Sequence, residues 1–204
     1  MSGQSFRIRD KGRIDRSKLV RFTFDGKSYE GYDGDTLASA LIANGVHLVG
    51  RSFKYHRPRG ILAAGSEEPN ALIQLGTGNK SEPNLRATQI EIFDGLEAVS
   101  QNRWPSLKVD VGAINSVFHR LFPVGFYYKT FMWPASFWLK YEHVIRHAAG
   151  LGKAPPDRDP DRYEKVHAHT DVLIVGGGPA GLAAALAAGN TGARVILADE
   201  TADW

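Results

Sequence analysis

Cysteine is missing from this 204-residue sequence altogether, and methionine occurs only twice. Without a thiol there is no disulfide framework and no zinc–thiolate site. The same absence gives the expectation of no iron–sulfur cluster, since such clusters take cysteine thiolates as ligands. A strong net charge is lacking as well: 25 Lys and Arg stand against 22 Asp and Glu, for a formal +3. The balance is uneven, because residues 1–60 hold twelve cationic against six acidic side chains. A basic front end suits anionic partners, although a solvated basic face has the same composition. Long apolar runs are scarce. The start, Met1-Ser2-Gly3-Gln4-Ser5-Phe6-Arg7, has no continuous apolar core of the kind a secretory leader needs. The most apolar stretch, Leu121 to Leu139, is interrupted by Pro123, Lys129 and Pro134, which argues against a membrane-spanning helix. The expectation is a cytoplasmic chain without membrane contact.

With 43% hydrophobic and 23% charged residues the composition is that of a globular protein. Residues 1–100 read as β-rich. Leu19-Val20-Arg21-Phe22-Thr23-Phe24 is a strand, Asp25-Gly26 a hairpin turn, and Lys27-Ser28-Tyr29-Glu30-Gly31-Tyr32 the returning strand. Asp35-Thr36 caps a helix carrying Leu37, Leu41 and Ile42 on one face, closed by Gly45. Later strands are expected at Ala71–Leu75 and Ala87–Ile92, with Asp94-Gly95 as a turn. Strand, hairpin, strand and helix in that order suggest a β-grasp. Residues 101–164 form a connector in which ten of the 21 aromatics fall between Phe118 and Tyr141. Rings at that density cover another surface, of this protein or of a partner, or else box a small ligand. Gly150 to Arg162, with three prolines, two glycines and six charges, reads as a linker.

Residues 165–204 carry the recognisable chemistry. The apolar strand Val172-Leu173-Ile174-Val175 runs into Gly176-Gly177-Gly178-Pro179-Ala180-Gly181, with glycines in G-x-G-x-x-G spacing. A small-residue helix follows, and then a second strand, Arg194-Val195-Ile196-Leu197-Ala198, that ends in Asp199 and Glu200. The first glycine permits the tight turn, the second lets a pyrophosphate approach the backbone, and the third lets helix and strand pack closely. Free N–H groups and the helix dipole would hold the phosphates. Asp199, twenty-three positions after Gly176, would accept hydrogen bonds from the adenosine ribose, with Glu200 the second choice. The fold class is therefore α/β: a degenerate β-grasp without cysteines, an aromatic connector, and the first βαβ of a Rossmann-type dinucleotide-binding domain. The fingerprint serves NAD and FAD alike.

Gly34-Asp35-Thr36-Leu37-Ala38-Ser39-Ala40-Leu41, Arg51-Ser52-Phe53-Lys54-Tyr55-His56-Arg57-Pro58-Arg59-Gly60 and Gly125-Phe126-Tyr127-Tyr128-Lys129-Thr130-Phe131-Met132-Trp133-Pro134, followed by the glycine fingerprint, together carry a resemblance. The chain resembles the α subunits of the heterotetrameric sarcosine oxidase family, over its whole length and as their N-terminal portion. The resemblance implies NAD at this subunit, FAD on a partner β subunit that houses amine oxidation, and FMN near the α/β interface. It implies oxidation of sarcosine to glycine, formaldehyde and hydrogen peroxide, with the one-carbon unit passed to tetrahydrofolate when that is present. A role in docking to the flavin-bearing subunit follows, and no oxidase activity for this stretch alone. FAD-dependent amine, opine and proline dehydrogenase complexes are related, and the amine and opine enzymes carry a [2Fe–2S] cluster in the equivalent domain. Its ligand positions fall on Ala63, Glu68, Ala71 and Thr88, none of which offers a thiolate. A subunit of such a dehydrogenase complex is the alternative within the class.

From another class, Arg51, Lys54, His56, Arg57 and Arg59 interleave with Phe53 and Tyr55 as in single-strand nucleic-acid patches. A β-grasp nucleic-acid-binding or adaptor module is thus a rival reading, against an internal carboxylate contact or an interface strip; no nucleic-acid partner is the expectation. His143 and His147 share a helical face without a further ligand set, so no metal site is expected, and no catalytic residue is recognisable.

Overall fold

The computed structural model describes residues 4–8, 11–12, 14–121, 125, 131–148 and 150–199. The chain divides into two compact units, Met1–Pro160 and Asp161–Trp204.

In the first unit, β1 (Leu19–Phe24) pairs antiparallel with β2 (Lys27–Tyr32) in unbroken register from Leu19 opposite Tyr32 to Phe24 opposite Lys27. Asp25 and Gly26 both adopt positive φ, 50° and 74°, the mirror-image turn whose twist matches that of the strands it joins. Alternation decides which face turns inward: Val20, Phe22 and Phe24 are buried while Leu19 and Arg21 are exposed. Helix α1 (Leu37–Ala43) begins at Thr36, whose hydroxyl accepts from the Ser39 N–H. Just before it, the buried Asp35 carboxylate accepts from the Tyr32 N–H and the Ser39 hydroxyl and pairs with Arg7. After β3 (Gly50–Arg51) and β4 (Pro58–Arg59), a short antiparallel pair, come β5 (Leu72–Leu75), β6 (Glu82–Arg86) and β7 (Glu97–Ser100). The main sheet runs β2-β1-β7-β5-β6, parallel between β1 and β7 and antiparallel elsewhere. Phe22, Leu37, Leu41, Ile73, Ile92 and Leu96 form the dry interior between sheet and helix.

One expected strand is displaced. Residues 87–92 alternate like a strand, but β6 is the segment before them, Pro83 included. The later residues instead serve the start of α1: Ala87 and Ile90 carbonyls accept from the Ala38 and Leu37 N–H groups, and the Ile92 N–H donates to the Asp35 carbonyl. A helix leaves its first N–H groups unpaired, and here the turn after β6 and Ile90 just beyond it satisfy two of them. β7, the partner shared by β1 and β5, was not anticipated. In the connector, α2 spans Trp138–Ala148, and Trp133, Leu139 and Val144 are exposed. Phe126 to Thr130 of the aromatic segment lie outside the described residues.

The second unit is a βαβ: β8 (Val172–Val175), α3 (Pro179–Asn190) and β9 (Val195–Ala198), with β8 and β9 parallel. Among the described residues no helix is long and apolar enough to cross a membrane.

Candidate functional site

The glycine corner is built by the end of β8. The register from Val172 opposite Val195 to Val175 opposite Ala198 brings both strand ends level, and the Gly176 N–H donates to the Ala198 carbonyl at 2.8 Å. Gly176 sits at φ +102°, a region that side chains rarely enter. Gly181 is required for a different reason: a Cβ there would stand 1.9 Å from the Gly176 carbonyl oxygen. Gly178 is different again. Its φ of −65° suits any residue, and a Cβ there meets no atom within 4 Å, so it faces open space. It caps α3 without a side-chain hydrogen bond, and Pro179 occupies the first turn, where a missing N–H costs nothing. Pro179 and Ala180 are exposed beside it. The Asp199 carboxylate, one step past β9, accepts from the Gly177 N–H at 2.6 Å. A hollow of about 330 Å³ is lined by Val175, Gly176, Ala198 and Asp199. The corner thus presents backbone donors, a helix start and a carboxylate in one place; Glu200 lies outside the described residues.

A second constellation surrounds Glu68, which is 1% exposed. One carboxylate oxygen accepts from the Leu62 and Ala63 N–H groups at 2.7 and 2.6 Å, and the other from Asn70 and Ala71 at 2.7 and 3.3 Å. Burial alone would raise its pKa, but four backbone donors outweigh that and hold the carboxyl below its usual range. Thr88 closes the same loop by donating its hydroxyl to the Gly65 carbonyl at 2.8 Å.

The basic segment is partly turned inward. Arg51 donates to the Leu107 and His56 carbonyls, and its Nε lies 3.9 Å from the buried Asp110 carboxylate. His56 Nδ1 is 2.6 Å from Asp110, which also accepts from the Trp104 and Gly112 N–H groups. Burial would raise the Asp110 pKa; these donors and His56 lower it. Lys54 and Arg57 lie over the Tyr55 ring, and Phe53 and Arg59 are exposed. The internal carboxylate contact weighed for this segment is made with Asp110, which the sequence pattern could not single out because it lies more than fifty positions downstream of both Arg51 and His56. His143 and His147 are both exposed on α2, and among the described residues no group of three or more His, Asp or Glu could hold a metal ion.

Residues 17–103 match the family model of a 2Fe-2S iron-sulfur cluster binding domain, and residues 171–203 that of an FAD dependent oxidoreductase. The chain is 62% identical over 197 residues to the sarcosine oxidase subunit alpha of Rhizobium meliloti, covering 96% of this chain and 20% of that protein. It is 38% identical to the subunits alpha of Corynebacterium sp. strains U-96 and P-1, covering 92% and 94% of this chain and 15% of each relative. The resemblance to sarcosine oxidase α subunits therefore holds, and the chain spans a fifth or less of the length of these curated relatives. A chain of the crystal structure of L-proline dehydrogenase from P. horikoshii aligns with 90% of this chain and 25% of its own, at 23% identity and a TM-score of 0.41.

The match over residues 17–103 overturns one expectation. Lack of cysteine led to the exclusion of an iron–sulfur cofactor, yet this segment is similar to a cluster-binding domain, which supports such a cofactor for it. The donor set does not fit that group: of Ala63, Glu68, Ala71 and Thr88, two end in methyl groups and two have their oxygens engaged within the loop.

Proposed function

We propose that this chain forms part of the α subunit of a sarcosine oxidase-type, flavin-dependent amine oxidoreductase, and that its own task is to bind a dinucleotide at the Gly176–Gly181 corner. The 62% identity to a sarcosine oxidase subunit alpha supports the first half. The observation that carries the second is the open space at Gly178, beside a helix start without a side-chain cap and with the Asp199 carboxylate on the same corner. There the Gly177 and Gly178 amides would meet the diphosphate, the α3 dipole would favour its charge, and Asp199 would exchange Gly177 for ribose hydroxyls. Pro179 and Ala180 shape the first turn, and Glu200 follows as a second acceptor. NAD is the dinucleotide proposed for this subunit; bound, it supplies a two-electron hydride acceptor. FAD is the second reading, favoured by the match of residues 171–203 to an FAD dependent oxidoreductase.

Residues 1–100 are proposed as a β-grasp without cysteine, 101–164 as the connector, and 165–204 as the start of the dinucleotide domain. The exposed Trp133, Leu139 and Val144 support a docking role for the connector toward a flavin-bearing β subunit. Sarcosine, with tetrahydrofolate as one-carbon acceptor, is the proposed substrate of the cytoplasmic complex, yielding glycine and peroxide. Titration of the full-length α subunit with NAD and, after removal of bound flavin, with FAD tests the reading. Saturable NAD binding weakened about 10-fold or more by Asp199→Ala is expected. Binding of neither nucleotide contradicts it.

A further inference from the structure

Glu68 breaks the usual rule for buried carboxylates, which pair with a cation or lose their charge. Among the described residues, the hydrogen bonds to its two carboxylate oxygens come from main-chain N–H groups, two from each side of a ten-residue loop. Consecutive amides 62–63 and 70–71 converge on one point from opposite ends of the segment, an arrangement that makes a concave, positively polarised nest. Amide donors turned onto a buried group need an acceptor there, and the Ala71 donor is itself buried. The loop has other ties: the Glu68 N–H donates to Gly65, Thr88 holds Gly65, and Arg86 donates to the Glu68 carbonyl at 3.2 Å. At its end Ala71 enters the core and pairs its carbonyl with the Ala87 N–H, so the nest is continuous with the start of β5.

We propose that residues 62–71 are an anion site whose ligand is supplied by the chain itself. Glu68 is a positioning residue that clamps the loop against the sheet, and the vacated nest takes a free carboxylate of formate or acetate size. The requirement is for two oxygens carrying one negative charge between two pairs of donors. A carboxylate provides this; an amide of the same shape puts a donor against two of the N–H groups. The inference rests on the first unit alone and is independent of the dinucleotide reading.

Three measurements on the full-length subunit test it. In the wild type, amide hydrogen exchange at Leu62, Ala63, Asn70 and Ala71 is expected to be slowed about 100-fold or more, although all four lie outside strands. Exchange at the unstructured rate at these positions overturns the proposal, whatever the variants do. Glu68→Ala is expected to lower Tm by about 10 °C, with recovery that saturates as formate is added and is absent with chloride at equal ionic strength. Glu68→Gln is expected to lower Tm without formate recovery, because the amide still fills the nest. A Glu68→Gln protein as stable as the wild type, or equal responses of Glu68→Ala to formate and chloride, contradicts it.

Discussion

Two buried carboxylates answer to acid in the same direction. Glu68 and Asp110 are both held below the ordinary carboxyl pKa despite burial, Glu68 by four backbone amides and Asp110 by backbone amides together with His56. A depressed native pKa means that near pH 4 and below the unfolded chain binds protons the native state does not. Their stabilisation is therefore complete above the ordinary carboxyl range and disappears as pH falls through the native values. Thermal melts of the full-length subunit should show a Tm nearly flat from about pH 6 to 7 and falling below about pH 4.5. Asp110→Asn should flatten the acid limb while lowering Tm at neutral pH. A Tm that rises on acidification contradicts this assignment of charge. At the glycine corner, single residues also differ in surroundings: a Cβ at Gly181 would meet the Gly176 carbonyl, whereas one at Gly178 would meet no atom within 4 Å.

At the scale of elements, local chemistry predicted what local chemistry controls. The β1–β2 hairpin and the start of α1 were legible because alternation, Asp25-Gly26 and Thr36 each act within a few residues. Thr36→Ala should cost about 1 kcal/mol, read from urea unfolding, since it removes the acceptor of the Ser39 N–H. No loss there would mean that the hydroxyl is not the cap. Residues 87–92 were misread because a strand-like pattern reports burial of alternate side chains but not the partner of the backbone. The partner here is a helix end about fifty positions earlier in sequence. Glu68 was visible only as a position without a thiolate; its four donors are assembled by the loop and leave no mark in composition. The βαβ was legible throughout, because glycine spacing, small-residue helix and terminal acid are consecutive in the chain.

For the molecule as a whole, two units divide near Pro160, close to the Pro- and Gly-rich linker seen in the sequence. Residues 17–103 of the first match the model of a 2Fe-2S iron-sulfur cluster binding domain, and residues 171–203 of the second that of an FAD dependent oxidoreductase. The dinucleotide claim has an unusually selective probe. The Gly178 backbone suits a side chain and a Cβ there meets no atom within 4 Å, yet a branched side chain carried on it would enter the space assigned to the diphosphate. Isothermal titration of NAD into the full-length Gly178→Val subunit, beside the wild type, reads that space directly. An unchanged Tm with affinity reduced about 100-fold or more is the predicted result. Wild-type affinity in a folded Gly178→Val protein would place any nucleotide elsewhere and contradict the account.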